Sequence, residues 1–306
     1  MITGFNAIRN TLSGGYPFVE SIISALPFCD KFIVSEGYSD DGTYETLKKL
    51  ADIYPKLELT RNEWRVTGAN RRRGIAMADA ANVARELCSD KYIFYIQANE
   101  VVHEKSAERL KSFPKERPHI ELFHLPYFHI IGKNFVFAEE FRARFAKNIS
   151  GIRVRGDAGF MSYGKLETAK KMMKALRQPR SVIAPYGFDS PPFTHAILPM
   201  PIFRYTALYK SNYIKKKQER LRISNESESG SIKIEIKDVG NSKDFEVWCR
   251  DHFKDKTDRK NPYLLGGATY ALQLDEHPKI MQELLKRNIT SYYVRDSLLK
   301  RSIGEL

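Results

Sequence analysis

Cysteine is scarce in this chain of 306 residues. The three cysteines, Cys29, Cys88 and Cys249, lie far apart in the sequence. They form no CxxC pair of the kind that binds zinc, and an odd number cannot complete the paired framework of a disulfide-rich domain. A sparse set of cysteines is typical of a reducing compartment.

Long hydrophobic runs are also missing. The chain has no stretch of about 18 or more uncharged apolar residues, which a membrane-spanning helix requires. The first residues, Met1 to Phe5, are not a basic segment followed by an apolar one, so they do not resemble a signal peptide. We therefore expect a cytoplasmic protein, and peripheral contact with a membrane surface remains open.

Several short functional motifs are absent from the sequence. No GxGxxG or GxxxxGK[ST] loop occurs, which argues against a Rossmann dehydrogenase and a P-loop ATPase. No helix-turn-helix, zinc-finger or RNP-type signature is present, so we expect no nucleic-acid partner. The seven histidines show no HxxxH or HxH spacing. His124 and His129 lie in an apolar segment and are expected to pack in the core.

Acidic residues are outnumbered by basic ones. The chain has 37 Asp and Glu against 50 Lys and Arg, a net charge of +13 at pH 7. This surplus favours anionic partners such as nucleic acid, nucleotide phosphates or an acidic membrane surface, without choosing among them. Hydrophobic residues make up 42% of the chain and aromatic residues 12%, enough for a sizeable core. Global disorder is therefore excluded.

The first 130 residues alternate between strand-like and helix-like segments. Such alternation predicts βαβ units and a mainly parallel sheet. Because such sheets bind ligands at the carboxyl ends of their strands, the polar loops after Val34 and Ile96 are candidate binding loops. The predicted strands are Thr3–Arg9, Phe32–Val34, Leu57–Leu59, Tyr92–Ile96 and Ile120–Ile131, and the predicted helices are Pro17–Leu26, Asp41 to about Leu50, and Gly74–Leu87.

The pattern is less regular beyond about residue 140. The sequence there predicts an irregular C-terminal region that contains helices. Its predicted parts are a loop at 151–160, an extended segment at 196–205, basic helices at 165–177 and 209–222, a polar linker at 225–231, a strand at 232–237 and a helix at 278–287.

Two loops carry a family resemblance. The first runs from Val34 to Thr43 (VSEGYSDDGT) and the second from Phe94 to Glu104 (FYIQANEVVHE). In that order, and each at the end of an apolar strand, they resemble the family 2 glycosyltransferases of the GT-A fold. The segments that extend this resemblance over most of the chain are Gly4–Asn10, Tyr16-Pro17, Gly74 with Ala78 and Asn82, Asp157–Phe160 and His277-Pro278.

The resemblance implies a fold, a division of the chain and an activity. The fold is a Rossmann-like three-layer α/β sandwich with a mainly parallel central sheet. Residues 1–135 form the nucleotide-sugar-binding core, and residues 136–306 form the acceptor-side region of the same compact domain. The activity implied is hexosyltransferase-like: transfer of a sugar from a nucleoside-diphosphate sugar to a hydroxyl acceptor, with inversion.

The resemblance also assigns nucleotide-binding residues. Glu36 stands where the family has the acidic residue that contacts the base, and a carboxylate accepts a hydrogen bond from a uracil or guanine ring N–H. The alternative is that Glu36 caps a neighbouring loop. Gln97 stands near the ribose in the family pattern. The other candidates for donor binding are Arg9, Arg73, Gly74 and Asn99.

Asn99 departs from the family pattern. The family has there the second Asp of Asp-x-Asp, which holds Mn²⁺ or Mg²⁺, and such hard cations prefer charged oxygen ligands. Arg204 stands where the resemblance places a histidine that completes the metal site, and a guanidinium binds a diphosphate directly. We therefore predict that no metal is required and that basic side chains stabilise the leaving group. Mn²⁺ or Mg²⁺ at Asn99 is the family alternative. Further basic candidates are Arg71 to Arg73, Lys210 and Lys215.

An inverting transferase needs a general base for the acceptor hydroxyl. Asp157, in the segment that resembles the family's acceptor-side loop, is the first candidate, and Glu139 and Glu140 are the alternates. Aromatic residues can stack on sugars, but they are more often part of a core. The aromatic candidates are Trp64, Tyr127, Phe128, Phe135 and Phe137.

The sequence therefore indicates a glycosyltransferase whose acceptor is a saccharide, a lipid-linked saccharide or a protein. The basic segment at 209–222 is compatible with a phospholipid or polyprenyl-phosphate surface. The alternative function is a non-catalytic GT-A-fold protein that serves as a binding or scaffold module, because the changes at Asn99 and Arg204 also suit a degenerate enzyme.

Overall fold

A computed structural model describes residues 1–65, 75–132, 135–155, 158–164, 194–208, 268–287 and 292–300. In chain order its strands and helices are β1 (Ile2–Ile8), α1 (Phe18–Ala25), β2 (Lys31–Glu36), α2 (Thr43–Ile53), β3 (Leu57–Arg61), α3 (Ile75–Glu86), β4 (Tyr92–Tyr95), β5 (Glu100–Val102), α4 (Ala107–Glu116), β6 (Leu122–Ile131), β7 (Phe135–Lys147), β8 (Ile152–Arg155), β9 (Phe160–Tyr163), β10 (His195–Ile197), β11 (Ile202–Ala207), β12 (Ala268–Ala271) and α5 (Lys279–Lys286). Short 3-10 helices lie at Glu104–Ser106, Leu274–Glu276 and Asp296–Leu299.

Ten strands form one sheet in the order β3-β2-β1-β4-β7-β6-β11-β5, with β10 also paired to β6 and β12 to β7. The strands from β3 to β4 are parallel, and β7 runs antiparallel between β4 and β6. The chain winds outward from β1 to β3 and then adds β4 on the other side of β1. At such a reversal, α/β sheets bind ligands in a crevice beyond the carboxyl ends of the strands, here β1 and β4. We call this edge of the sheet the crevice.

Helices cover both faces of the parallel part of the sheet. The apolar residues of α1 and α2 pack with Ile8, Phe32 and Val34 in one core cluster. The alanines of α3 pack with Phe5 and Ile33 in a second cluster on the opposite face. The predicted α/β class, three layers around a mostly parallel sheet, is therefore confirmed as a Rossmann-type arrangement.

The structure corrects one predicted loop and adds elements that were not predicted. The segment 151–160 contains β8, which pairs with β9 in a two-stranded sheet. Its residues alternate between buried and half-buried, and Ile152 and Val154 supply the buried face. The helix α4 and the 13-residue strand β7 were also not predicted. β7 carries Arg142 and Arg144, and charged residues are rare in a central strand unless they find a partner in the interior.

Some predicted elements lie outside the described residues. These are the helices at 165–177 and 209–222, the linker at 225–231 and the strand at 232–237. Within the described ranges, no helix combines the length and apolar character that crossing a bilayer requires.

Candidate functional site

The loops that follow β1 and β2 interlock at the crevice. The Asn10 amide donates a hydrogen bond to the Ser39 hydroxyl at 2.9 Å, and the Asp40 amide donates to Asn10 Oδ1 at 3.1 Å. Asn10 and Tyr38 have positive φ angles of 49° and 55°, which residues with a β-carbon adopt only when their surroundings impose it. The two loops thus hold each other in one arrangement at this edge of the sheet.

Glu36 ends β2 and is fully buried. Its carboxylate accepts hydrogen bonds from the Ser39 amide at 2.6 Å, the Tyr38 amide at 3.1 Å and Arg61 Nε at 2.9 Å. Glu36 therefore caps its own loop and is also bonded to β3. Three protein donors thus occupy three of the roughly four acceptor positions of the carboxylate.

Arg61 was missed by the sequence reasoning because it lies on β3, away from both candidate loops. The parallel register pairs it with Glu36, and its guanidinium carbon lies 4.1 Å from the ring centroid of Tyr38 and 4.0 Å from that of Tyr44. The Tyr38 ring remains 54% exposed. The wall of the crevice next to Glu36 therefore presents a cation stacked between two aromatic rings.

Gly37 lies where the two loops come closest. A β-carbon at this position would lie 2.6 Å from Trp64 Nε1 and 2.9 Å from Arg9 Cβ. Arg9 itself is exposed, directly after β1. The structure thus brings the predicted residue Arg9 and the aromatic candidate Trp64 together with the loop that carries Glu36.

The second candidate loop is a turn after β4. The Gln97 side-chain amide donates to the Ala158 carbonyl at 2.8 Å, and the Ser21 hydroxyl donates to the Gln97 carbonyl at 2.9 Å. The side chain of Asn99 is buried, and its backbone carbonyl accepts from the Tyr205 amide at 2.7 Å. These bonds attach the turn to a helix, to the segment before β9 and to β11.

Glu100, directly after this turn, was not among the predicted site residues. It is fully buried with Arg144, whose Nε donates to Oε2 at 2.9 Å and whose Nη2 donates to Oε1 at 2.5 Å. The Tyr127 hydroxyl also donates to Oε1, and the Gln97 backbone amide donates to Oε2 at 3.0 Å. Burial raises the pKa of the Glu100 carboxyl and the charge and hydrogen bonds of Arg144 lower it, and the net pKa is below the ordinary value. Glu100 is therefore an anion.

Arg204 lies beside this ion pair. The antiparallel register of β5 and β11 places it opposite Glu100. Its guanidinium carbon lies 5.5 Å from the Tyr127 ring centroid, and those of Arg142 and Arg144 lie 5.7 Å and 5.4 Å from the same centroid. The Nε of Arg204 is buried and makes no hydrogen bond to the described part of the chain. Three guanidinium groups thus lie around the Tyr127 ring, and the Glu100 carboxylate is already bonded to Arg144. This arrangement is suited to binding an anion.

The described side chains at this place are poor ligands for a divalent metal ion. Asn99 offers a neutral carbonyl, the Glu100 carboxylate is bonded to Arg144, and Arg204 adds positive charge. Hard cations require the opposite, several oxygens with negative charge. Among the residues that the structure describes, no three or more His, Cys, Asp or Glu side chains form a group able to hold a metal ion.

The remaining candidates lie in three places. Glu140 is on β7 opposite Tyr127, so its backbone lies in the strand that carries Arg142 and Arg144. Asn82, on α3, exchanges two hydrogen bonds with the backbone of Val154 at 3.0 Å and 2.9 Å, so it attaches α3 to β8. The candidates that fall outside the described residues are Asp157, Arg71, Arg73, Gly74, Lys210 and Lys215.

The two histidines expected to pack lie on β6. His124 Nε2 is 3.3 Å from Nδ1 of His195, and burial lowers the pKa of His124 to about 3. The His129 ring lies 5.0 Å from the Tyr127 ring, nearly perpendicular to it. Both rings are half-buried on the sheet, and His124 is neutral at physiological pH.

No protein-family model and no curated protein sequence matches this chain. Solved structures with a similar fold include S. aureus TarS, at 9% identity over 85% of this chain and 75% of that one, with a TM-score of 0.38. TarS in complex with UDP-GlcNAc is 12% identical over 76% of this chain and 68% of that one, with a TM-score of 0.39. The mannosyltransferase PcManGT from Pyrobaculum calidifontis, in complex with GDP-Man and Mn²⁺, is 16% identical over 40% of this chain and 34% of that one, with a TM-score of 0.31. At these identities and TM-scores, the function proposed for this chain rests on its own residues.

Proposed function

We propose that this protein is a glycosyltransferase that moves a sugar from a nucleoside-diphosphate sugar to a hydroxyl acceptor, with inversion and without a metal ion. The observation that carries the proposal is the position of Arg204. It lies opposite Glu100 and next to the Asn99 turn, at the crevice where this fold class binds ligands.

The donor would bind with its base beside the Glu36 loop and its diphosphate beside Arg204. Arg9, Gln97 and Asn99 line the space between these two ends in the proposal. Arg73 and Gly74 belong to the same donor site by the sequence resemblance. A nucleoside diphosphate fits the chemistry on both sides, because the Arg61 and Tyr38 stack suits an aromatic base and the guanidinium groups suit phosphate oxygens.

The chemistry proposed is a single displacement. The acceptor hydroxyl attacks the anomeric carbon while the bond from that carbon to the diphosphate oxygen breaks, and the departing diphosphate takes up the negative charge. Arg204 stabilises this charge, a role that a divalent cation fills in other enzymes. Asp157, or alternatively Glu140, accepts the proton of the hydroxyl.

The test is a thermal-shift panel of UDP-, GDP-, dTDP- and CMP-sugars, each with EDTA and again with Mn²⁺. A ligand at a hundred times its dissociation constant adds about 2.7 kcal/mol of stability. We expect one nucleotide sugar to stabilise the protein in EDTA. Stabilisation that appears only with Mn²⁺ would contradict the role given to Arg204, and no stabilisation in either condition would contradict donor binding.

Arg204→Ala is the first variant to measure. A charge-assisted hydrogen bond contributes about 1.5–3 kcal/mol, so we expect donor affinity to fall by about tenfold or more. Arg153→Ala is the control, because it removes the same charge from a residue of β8 that pairs with Glu86 at 2.8 Å. Equal donor affinities of the two variants would remove Arg204 from the site.

The alternative function, a non-catalytic binding module, is favoured by Asn99 itself, since an amide stands where the resemblance expects a metal-binding carboxylate. It differs from the enzyme in one measurable way. A binding module takes up the nucleotide sugar and releases it unchanged, whereas a transferase releases free nucleoside diphosphate, which a coupled assay detects.

A further inference from the structure

The turn after β4 and the segment before β9 are joined by one buried side chain. Arg144 donates Nε and Nη2 to the Glu100 carboxylate and Nη1 to the Gly159 carbonyl at 2.6 Å. A second link runs alongside, from the Gln97 side-chain amide to the Ala158 carbonyl at 2.8 Å. Arg144 therefore connects the turn after β4, where the proposed function places the donor, with the segment that directly follows the candidate base Asp157 in the sequence.

The geometry leaves little freedom in this connection. The guanidinium is planar, and it uses one edge for the carboxylate and its remaining nitrogen for the carbonyl. Arg144 is fully buried, so water cannot replace a lost bond. Ala158 has a φ angle of 59°, unusual for a residue with a β-carbon, and this conformation persists because its surroundings impose it. A shift of either segment breaks a bond that nothing else can replace.

We propose that Arg144 is a positioning residue, which holds the segment at Ala158 and Gly159 at a set distance from the turn of Gln97 to Asn99. This inference rests on the proposed function. Asp157, the candidate general base, directly precedes Ala158 in the sequence. Arg144 would thereby hold the segment that directly follows the candidate base against the turn proposed for the donor, without touching either substrate.

The same chain supplies a matched control. Arg295 and Glu20 are also buried, where the segment at 292–300 meets α1, with Arg295 Nε 3.5 Å from Glu20 Oε1. The Tyr292 hydroxyl donates to Glu20 at 2.8 Å, and Arg295 Nη2 donates to the Ile280 carbonyl at 2.5 Å. Like the group around Arg144, this one joins a carboxylate, a guanidinium, a phenol and a carbonyl, and Glu283 adds a second carboxylate 2.6 Å from Arg295 Nη1. The hydrogen bonds and ion pairs given for this group do not reach the turn of Gln97 to Asn99 or the segment at Ala158 and Gly159.

Hydrogen exchange of the ligand-free protein tests the connection. The variants are Arg144→Lys and Arg295→Lys, which keep the charge and therefore the best chance of folding, while an ammonium cannot hold a carboxylate edge and a carbonyl in the same way. We expect Arg144→Lys to raise exchange by about tenfold in peptides covering 97–102 and 158–163 together, and Arg295→Lys to leave both unchanged. A rise in one segment only, or the same pattern in both variants, would overturn the proposal.

Steady-state kinetics with the nucleotide sugar identified by the donor panel give the second readout. A displaced base slows the chemical step but not donor binding, so we expect Arg144→Lys to lower kcat by a factor of roughly ten to one hundred while the donor KM changes by less than about twofold. Arg295→Lys should keep the wild-type kcat. A rise in KM at constant kcat would show a role in donor binding instead and would overturn the positioning role.

The two proposals fail in different ways. If no donor of the panel binds to the wild type, the proposed function fails, and the catalytic role of Arg144 fails with it, whatever the exchange data show. If a donor binds and Arg144→Lys keeps the wild-type kcat, the positioning role alone is wrong.

Discussion

Glu36 and Glu100 are buried carboxylates that each hold the loop next to them. Glu36 accepts from two amides of its own loop and from Arg61. Glu100 accepts hydrogen bonds from the Gln97 backbone amide and from Arg144. In both cases a strand end would otherwise leave backbone N–H groups without acceptors, and an unsatisfied buried donor costs about 1–3 kcal/mol. Each carboxylate thus helps to fix the conformation of the loop next to it.

The Glu36→Gln variant tests this role at a single residue. The amide keeps one acceptor oxygen but loses the charge opposite Arg61, so we expect the free energy of unfolding to fall by about 1–3 kcal/mol. Glu58→Gln is the control, because the Lys31–Glu58 ion pair is largely exposed and should change stability by less than about 0.5 kcal/mol. Urea unfolding of both variants gives the comparison. Equal losses would mean that Glu36 does not support its loop.

At the scale of elements, the crevice depends on how closely the loops approach one another. Gly37 allows the loop after β2 to lie against Trp64 and Arg9, at distances that no side chain would permit. The sheet register brings Arg61 next to Glu36, and the antiparallel pairing of β5 with β11 brings Arg204 next to Glu100. The site is therefore assembled from side chains of at least four strands, β2, β3, β5 and β11.

Gly37→Ala is the element-scale test. The added methyl would lie 2.6 Å from Trp64 Nε1, so the loop must shift, and we expect a loss of about 1–3 kcal/mol in stability together with weaker donor binding. Gly151→Ala is the matched control, because its nearest neighbour would be 3.8 Å away, an ordinary contact. Urea unfolding and the thermal-shift panel measure the two effects. If Gly37→Ala binds donor as the wild type does, the Gly37 loop lies outside the donor site.

At the scale of the whole molecule, the last described segment packs against the N-terminal half. Tyr292 and Arg295 bind Glu20 on α1, and the Tyr54 hydroxyl donates to the Leu298 carbonyl at 3.5 Å. Leu298 belongs to the same core cluster as residues of β1 and α1. The C-terminal segment is thus part of the core on one side of the sheet, while the Glu100 and Arg144 pair stabilises the region beside the crevice.

The two buried ion pairs predict opposite pH responses. The pKa of Glu100 is lowered although burial raises it, because the positive charge of Arg144 and the two hydrogen bonds that Arg144 donates outweigh the effect of burial. The pKa of Glu20 is raised, because burial outweighs the more distant Arg295. A glutamate whose pKa is lowered by folding stabilises the protein above about pH 4.3, the ordinary glutamate pKa, and this stabilisation is lost as the pH falls through the folded-state pKa. A glutamate whose pKa is raised by folding stabilises the protein below about pH 4.3, and this stabilisation is lost as the pH rises through the folded-state pKa.

Urea unfolding of wild type, Glu100→Gln and Glu20→Gln between about pH 3 and pH 8 checks these signs. At pH 7 we expect Glu100→Gln to lose about 3–5 kcal/mol, because Arg144 stays buried without its counter-charge. The stability difference between wild type and Glu100→Gln should narrow as the pH falls below about 4.3. The stability of the wild type relative to Glu20→Gln should increase as the pH falls towards about 4.3. If the stability difference from wild type changed with pH in the same direction for both variants, the opposite pKa shifts of Glu100 and Glu20 would be contradicted.

Much of the fold could be predicted from hydropathy patterns. The β1–α1–β2–α2–β3–α3–β4 series carries continuous apolar strands and helices with one apolar face, and the structure confirms the α/β class that these patterns predict. β7 escaped prediction because its charged residues resemble a loop, and only the buried partner of Arg144 explains them. The prediction of a loop at 151–160 was wrong, because the glycines of this segment were given more weight than the alternating apolar residues Ile152 and Val154.

The sequence by itself determined which loops carry polar residues at the ends of apolar strands, since local composition decides where a strand ends and a turn begins. It also showed that Asn99 and Arg204 differ from the family that the chain resembles. Only the tertiary structure decided which of these residues meet. Sheet register over long separations in the chain sets that pairing, and it brings together Glu36 with Arg61, Glu100 with Arg144, and Arg204 with the Asn99 turn. The burial of charge has the same origin, because a side chain becomes an ion-pair partner only when distant strands close around it.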